Sequence, residues 1–98
     1  MINNSRQRAY LKSLAGNLEP VFQIGKANLT PEVTEAVREC FNTRELIKIN
    51  VLKTCLEDIH EMAQVIADRT GSEVVQVIGR KIVLYKEDKD NKKIFLPK

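Results

Sequence analysis

Few residues of this sequence carry the side chains that catalysis needs, whereas cations are frequent. The chain has one histidine, His60, and two cysteines, Cys40 and Cys55, which form no CxxC pair. The stretch Gly25-Lys26-Ala27-Asn28 places a flexible glycine and a cation just before a predicted helix start, where free backbone N–H groups suit a phosphate. Such a stretch is either a binding loop or a plain strand-to-helix turn, and these four residues alone leave both interpretations open.

The motifs of the common catalytic sites are absent from the sequence. It contains no GxSxG, HExxH or GxGxxG, and its GK pair, Gly25-Lys26, lacks the upstream glycine and the hydroxyl of a phosphate-binding P-loop. His60 lies off the apolar stripe of its predicted helix and is predicted to be a surface residue. Cys40 lies on such a stripe and is predicted to be a small core residue. We therefore expect no enzyme, no cofactor, no metal site and no small-molecule substrate.

Positive and negative charges are distributed unevenly along the chain. The formal net charge is +3, made up of +3 in residues 1–30, −4 in residues 31–73 and +4 in residues 74–98. If the two basic ends meet in space, the fold has a positive side, as nucleic-acid-binding proteins do. The alternative is an ordinary solvated surface with a lysine-rich tail, and charge alone does not choose between the two.

Length and composition indicate one globular domain. The chain has 98 residues, of which 43% are hydrophobic and 30% charged, and this balance supports one modest core. No apolar run approaches the roughly 20 residues that a membrane span needs, and the polar start MINNSRQR does not resemble a secretory signal. We expect a monomeric cytoplasmic protein without membrane contact.

Periodicity and end signals predict three helices and four strands in the order α-β-α-β-α-β-β. The first helix is capped by Asn4 or Ser5 and ends near Gly16-Asn17, the second starts at Thr30-Pro31, and the third runs from about Glu57 to Arg69. The strands are VFQI, LIKINVLK, VVQVI and KIVLYK, the last two joined by a tight turn at Gly79-Arg80. The charged tail, residues 86–98, is predicted to be mobile, and its IFLP segment either packs back or adds an edge strand.

The order of the elements also predicts the direction of the strands. Helical connections make the first three strands parallel, and the hairpin makes the fourth antiparallel. The expected fold is an α/β two-layer sandwich with a four-stranded mixed sheet.

Cations lie at three junctions of this fold. Lys26 belongs to the strand-to-helix turn, Arg80 and Lys81 to the hairpin, and Arg8 and Lys12 to the first helix. Tyr10 and Tyr85 lie in apolar patterns and are predicted to be core residues. Recognition of a nucleic acid would therefore depend on its backbone charge and shape more than on base stacking.

Three segments in this order resemble one known family. QIGKANLTPEV after a basic first helix, then RELIKINVL, then VVQVIGRKIVLYK, are similar to the CRM domain of small bacterial YhbY-type RNA-binding proteins. The resemblance covers about Gln7 to Tyr85 and includes the closing LPK. It implies a fold like the C-terminal domain of translation initiation factor 3, with sheet order 1-2-4-3. It also implies association with precursors of the large ribosomal subunit, and plant relatives act in intron splicing.

The resemblance also implies a set of RNA-binding residues. The family's GxxG loop, similar to the loop with which KH domains clamp nucleotides, falls at Gly25-Lys26-Ala27-Asn28, where Asn28 replaces the second glycine. Asn tolerates a left-handed backbone, so the turn survives, but a phosphate has less room there and Lys26 takes a larger share. The basic first helix and further basic positions of the family pattern are matched as well. The candidate RNA-binding residues are Arg8, Lys12, Gly25, Lys26, Ala27, Asn28, Lys48, Arg80, Lys81 and Lys86.

Two functional hypotheses follow from the sequence. In the first, the protein is an RNA-binding accessory factor of ribosome assembly that holds structured rRNA and catalyses no reaction. In the second, it is a protein-interaction module whose acidic second and third helices dock a basic ribosomal protein.

Overall fold

The fold has the predicted succession of helices and strands. The computed structural model describes residues 2–25 and 29–98. The elements are α1 (Ser5–Ala15), β1 (Phe22–Ile24), α2 (Pro31–Cys40), β2 (Leu46–Val51), α3 (Ile59–Thr70), β3 (Glu73–Ile78) and β4 (Lys81–Tyr85). Across these two ranges, no helix has the length and apolar character needed to cross a membrane.

Helix α1 begins at a predicted cap residue but ends differently than expected. The Asn4 side chain accepts the Gln7 backbone N–H at 2.9 Å, and the Gln7 Oε1 accepts the Asn3 backbone N–H at 2.7 Å. These two bonds satisfy donors that a helix start leaves without partners. A glycine that ends a helix commonly has a positive φ, but Gly16, at the predicted end of α1, has a φ of −56° and so ends the helix in a right-handed conformation.

Helices α2 and α3 carry local signals at their ends. The Thr30 hydroxyl accepts the Val33 N–H at 3.2 Å, and Pro31 occupies the first turn of α2 as predicted. Helix α3 starts two residues later than expected because the Asp58 side chain is its cap. Gly71 ends α3 with φ +70°, which is a left-handed conformation that suits glycine.

The four strands form one mixed sheet in the order β1-β2-β4-β3. Strand β1 pairs parallel with β2, whereas β4 pairs antiparallel with both β2 and β3. The predicted strand directions and sheet order are therefore confirmed. Gly79 in the hairpin has φ +57°, as the first position of a tight hairpin turn requires. The register of β3 shifts between Val74 and Gln76, which leaves Val75 as an extra residue.

Each face of the sheet has its own core. Helices α2 and α3 cover one face and bury Ile47, Ile49 and Val51 of β2. Helix α1 lies on the opposite face and buries Leu46, together with Val83 and other residues of β3 and β4. The expected two-layer sandwich therefore describes the sheet with α2 and α3, and α1 adds a further layer.

The C-terminal segment lies against the same sheet face as α1. The Glu45 side chain is 3% exposed, and its carboxylate accepts the backbone N–H groups of Asp88, Lys93 and Ile94 at 2.6–2.8 Å. Ile94 packs with Leu96 against the core beneath α1. Of the two placements considered for IFLP, packing back is the observed one.

Candidate nucleic-acid interface

Both described flanks of the predicted loop contact the connection between β2 and α3. Lys26, Ala27 and Asn28 lie outside the described residues. On one side, a Cβ on Gly25 would lie 3.4 Å from Leu52 Cδ1, and the Leu52 N–H donates to the Ile24 carbonyl at 2.8 Å. On the other side, the Leu29 N–H donates to Glu57 Oε1 at 2.9 Å. Gly25 and Leu29 therefore both lie beside residues 52–57.

Arg80 brings the hairpin to this same end of the sheet. Its Nε donates to the Val51 carbonyl at 3.1 Å, and its Nη2 donates to the carbonyls of Leu52 at 2.6 Å and Cys55 at 3.3 Å. These bonds hold the β2–α3 connection in place. Within the two described ranges the Nη1 group of Arg80 makes no hydrogen bond, so the side chain can hold the backbone and still present N–H donors.

Arg8 binds backbone groups at a different place. Its Nη1 donates to the carbonyls of Val74 at 2.7 Å and Val75 at 2.8 Å, at the register shift of β3. A bulge leaves a carbonyl without a ladder partner, and the guanidinium satisfies it. Arg8 therefore joins α1 to β3, far along the strand from the hairpin.

Three predicted cations share one open part of the sheet. Lys48 of β2 and Lys81 of β4 lie on the face that α1 covers only in part. Lys12, on the C-terminal part of α1, lines a cavity of about 190 Å³ together with Lys48 and Gln76. The Lys81 Nζ donates to Asn50 Oδ1 at 3.1 Å. The structure thus brings Lys12, Lys48 and Lys81 together, although 69 residues separate the first from the last.

Lys86 lies apart from these three lysines. It follows the C-terminal end of β4, whereas Lys81 begins that strand. Its Nζ lies 6.0 Å from the centroid of the Phe41 ring and would lie 3.9 Å from a Cβ on Gly71. These two residues mark the C-terminal ends of α2 and α3, where the helix dipoles favour a cation.

The two tyrosines have opposite environments. Tyr85 is fully buried, as predicted, and burial together with the nearby Glu45, Glu87 and Glu73 carboxylates raises its pKa to about 12. Its hydroxyl has no hydrogen-bond partner among the described residues. The prediction that Tyr10 is a core residue is wrong, since it is 39% exposed on α1.

The other reactive side chains occupy the expected environments. His60 is exposed, and Cys40 is half-buried against the core. In the part of the chain that the structure describes, no three His, Cys, Asp or Glu side chains come together as a metal site.

Sequence reasoning missed the uncharged residues on the open part of the sheet. Gln23, Asn50, Gln76 and Ile78 lie on the same face as Lys48 and Lys81. The alternation in LIKINV indicated a polar face for Lys48 and Asn50, but it carried no information about neighbours on other strands. Only the strand register places the two glutamines beside them.

Comparison with known proteins gives a consistent result. Residues 4–86 match the model of the CRS1 / YhbY (CRM) domain. The chain is 42% identical to the probable RNA-binding protein YqeI of Bacillus subtilis over 92 residues, covering 94% of this chain and 96% of that protein. It is 34% identical to an RNA-binding protein of Haemophilus influenzae, covering 97% and 95% of the two chains. The solution structure of the hypothetical protein SAV1595 from Staphylococcus aureus superposes with a TM-score of 0.82 at 43% identity, covering 98% of this chain and 100% of that one.

Proposed function

Because this chain belongs to the CRS1 / YhbY (CRM) domain family, we propose that it is a cytoplasmic RNA-binding protein that associates with rRNA in precursors of the large ribosomal subunit. It acts there as a monomeric assembly factor, without a cofactor and without catalysing a reaction. The names of its relatives support RNA as the partner. The observation that carries the proposal is the meeting of Lys12, Lys48 and Lys81 on one sheet face.

The proposed interface has two parts. One part is the group of cations Lys12, Lys48 and Lys81 beside α1, and the other is Arg80 together with the predicted loop, Gly25 to Asn28. Lysine and arginine side chains bind phosphate oxygens through charge-assisted hydrogen bonds. Arg8 joins α1 to β3 and Lys86 lies apart from the others, so we assign both a smaller share in RNA contact.

Charge reversal with a matched control tests RNA binding. The variant Lys12→Glu, Lys48→Glu, Lys81→Glu is compared with Arg44→Glu, Lys89→Glu, Lys98→Glu, which changes three exposed cations and alters the net charge equally. Binding to large-subunit rRNA fragments is measured by fluorescence anisotropy. We expect the first variant to bind at least ~100-fold more weakly, since each phosphate contact contributes to affinity, and the control to bind within a few-fold of the native protein. Equal losses in both would contradict the proposed interface.

The ribosomal part of the proposal needs a separate test. The tagged protein is expressed in cells, and extracts are fractionated on a sucrose gradient under low salt. We expect cofractionation with precursors of the large subunit and release by high salt. If the protein binds isolated rRNA but does not cofractionate with these precursors, it is an RNA-binding protein without the proposed role in ribosome assembly.

The alternative function uses the opposite side of the molecule. Glu32, Glu35 and Glu39 of α2 and Glu61 and Asp68 of α3 are exposed, and an acidic surface of this kind suits a basic ribosomal protein. The variant Glu35→Lys, Glu39→Lys separates the two hypotheses. Loss of cofractionation in this variant, with unchanged binding to isolated rRNA, would favour the protein-interaction module.

A further inference from the structure

We propose that the uncovered half of the sheet face beside α1 binds a single-stranded RNA segment and reads its bases through amide side chains. We call this surface the open sheet face, and its residues are Lys12, Gln23, Lys48, Asn50, Gln76, Ile78 and Lys81. The inference rests on the proposed RNA-binding function and adds the type of RNA and the means of selecting its sequence.

The strand register arranges these residues in two rows. In the first row Gln23 pairs with Asn50, Asn50 with Lys81, and Lys81 with Ile78, so the row crosses all four strands. Neighbouring strands are about 4.8 Å apart, which gives this row a span of roughly 14 Å. In the second row Lys48 and Gln76 flank Val83. Helix α1 buries Val83, whereas the other six residues of the two rows form a strip of half-buried or exposed side chains that can be reached by a ligand.

Amide side chains on this strip suit the edges of nucleobases. Asparagine and glutamine carry a donor and an acceptor side by side, the pattern that pairs with base edges. Lys81 donates to Asn50 Oδ1, and this bond leaves the two N–H donors of Asn50 for a ligand. Neither Gln23 nor Gln76 makes a side-chain hydrogen bond to another described residue, so both amides are free to pair with a base.

The strip also offers a place for the apolar face of a base. Ile78 is 58% exposed, so its apolar side chain is accessible to a ligand. It lines the cavity of about 190 Å³ with Lys12, Lys48 and Gln76. This volume is below the roughly 300–1,000 Å³ of small-molecule sites. It therefore suits one base inserted between lysine side chains better than a complete small-molecule substrate.

Charge and shape favour single-stranded RNA over other occupants. The seven described residues of the open sheet face include three lysines and no carboxylate, which complements a phosphate backbone. Bases in an A-form duplex are stacked, and the deep major groove hides their edges from a flat sheet, whereas unpaired bases can spread on it. A peptide strand would add to an edge of the sheet through backbone bonds, not to its face.

Short oligonucleotides test the inference. Eight-nucleotide homopolymers of each base are titrated against the native protein and against Gln23→Ala, Asn50→Ala and Gln76→Ala. The matched control is Gln64→Ala, at an exposed position of α3. We expect the native protein to prefer one base. Each amide variant on the strip should reduce that preference about ten-fold, the discrimination of one good base contact, without changing the salt dependence of binding. Gln64→Ala should retain the preference.

Side-chain resonances give a second, independent readout. In the 15N-labelled protein, the NH₂ signals of Gln23, Asn50 and Gln76 should shift when the preferred oligonucleotide is added, and the signal of Gln64 should not. This measurement needs no variant, so it is unaffected if Asn50→Ala disturbs the fold through the lost Lys81 bond.

The outcomes separate this inference from the function on which it rests. If RNA binds but the amide variants retain the native base preference and their signals do not move, the inference is wrong and RNA binding stands. A duplex that outcompetes the single strand at equal concentration would also overturn it. If an acidic peptide such as polyglutamate displaces the oligonucleotide and shifts the same signals, the strip is a protein-docking surface. If no RNA binds at all, the proposed function itself fails.

Discussion

Arg8 and Arg80 each hold parts of the backbone that are distant in the chain. Arg8 joins α1 to β3 across 66 residues, and Arg80 joins the hairpin to the β2–α3 connection across up to 29 residues. Arginine suits this role because its planar fork of N–H donors reaches several carbonyl oxygens at once. An arginine at a basic position of this kind therefore stabilises the fold, in addition to any phosphate that it binds.

The variant Arg80→Lys tests how much the hydrogen bonds of Arg80 contribute to the stability of the fold. It keeps the positive charge but loses the fork that reaches Val51, Leu52 and Cys55. We expect the free energy of unfolding to fall by roughly 1–3 kcal/mol, measured by urea denaturation. Arg44→Lys is the control, since Arg44 is exposed and its side chain hydrogen-bonds only to the neighbouring Thr43 among the described residues. Equal stability of the two variants would show that the Arg80 bonds contribute nothing net.

Because of Tyr85, the stability of the protein is expected to decrease as the pH rises in the alkaline range. In the unfolded chain its hydroxyl ionises near pH 10.0, but in the folded protein burial raises the pKa to about 12. The folded state therefore retains a proton that the unfolded state loses, so this contribution is complete below pH 10 and is lost between pH 10 and 12, with an upper limit of roughly 3 kcal/mol. Tyr85→Phe should remove this part of the decline, measured by urea denaturation at several pH values.

At neutral pH, Tyr85→Phe is expected to have little effect on stability. The Tyr85 hydroxyl is buried without a partner among the described residues, so its removal should leave stability unchanged or slightly higher at pH 7. A loss of more than about 1 kcal/mol at pH 7 would indicate a hydrogen bond, direct or through water.

Asn28 is the loop residue whose substitution tests the sequence interpretation. If its role is to maintain a left-handed turn, Asn28→Gly should keep or strengthen RNA binding, because glycine adopts that conformation more easily and leaves more room. Asn28→Val should weaken binding, since a β-branched residue disfavours positive φ. Fluorescence anisotropy with an rRNA fragment measures the affinity of each variant, and thermal unfolding measures its stability. Equal affinity and stability of all three proteins would exclude this constraint.

At the level of the elements, the C-terminal segment depends on one buried side chain. Glu45 lies just before β2, and its carboxylate accepts three backbone N–H groups from residues 88, 93 and 94. Bonds to a charged acceptor are stronger than neutral ones. The charge of residues 86–98 predicts a mobile tail, whereas these contacts predict an ordered one.

The variant Glu45→Ala distinguishes the two expectations for the tail. It removes the acceptor, so we expect a loss of roughly 3 kcal/mol in the free energy of unfolding and rapid trypsin cleavage at Lys92 or Lys93. Glu87→Ala is the control, because its contact with Lys92 is a surface ion pair of the kind that contributes little. If the native protein is cleaved as fast as the Glu45 variant, the tail is mobile despite these contacts.

At the scale of the whole molecule, opposite charges lie on opposite sides of the sheet. The face beside α1 presents Lys12, Lys48 and Lys81, and the outer surfaces of α2 and α3 present exposed carboxylates. This separation orients the protein toward a polyanion with one side and repels it with the other. Because the proposed interface binds phosphates through cations, the salt dependence of binding should report how many phosphates are in contact.

Salt titration is the corresponding prediction for the whole interface. With four phosphate contacts, the logarithm of affinity should fall with the logarithm of salt concentration at a slope of about −3, using the coefficient for single strands. Lys12→Glu, Lys48→Glu, Lys81→Glu should reduce the magnitude of this slope by about 2. A slope near zero for the native protein would contradict binding through phosphates.

The sequence alone determined the elements and the directions of the strands. Asn4, Thr30 and Gly71 act within one helical turn, and the apolar periods of β2 and α3 repeat over short distances, so these signals are local and can be identified without the fold. The helix order then restricts strand directions because crossover connections follow few geometries. The sheet order and the choice of Lys48 and Lys86 came from resemblance to a family, whereas the other basic positions were selected because they lie in the first helix or at predicted junctions.

Only the tertiary structure decided which side chains meet. The pairing of Gln23 with Asn50 and of Lys81 with Ile78 depends on strand register, and the use of Arg8 and Arg80 depends on which carbonyls a bulge and a loop leave without partners. The tertiary structure also decided three further features: the separation of Lys86 from Lys81, the exposure of Tyr10 and the contact of the C-terminal segment with Glu45. All of these are long-range contacts, and their free energy depends on packing between distant segments, which no local pattern encodes.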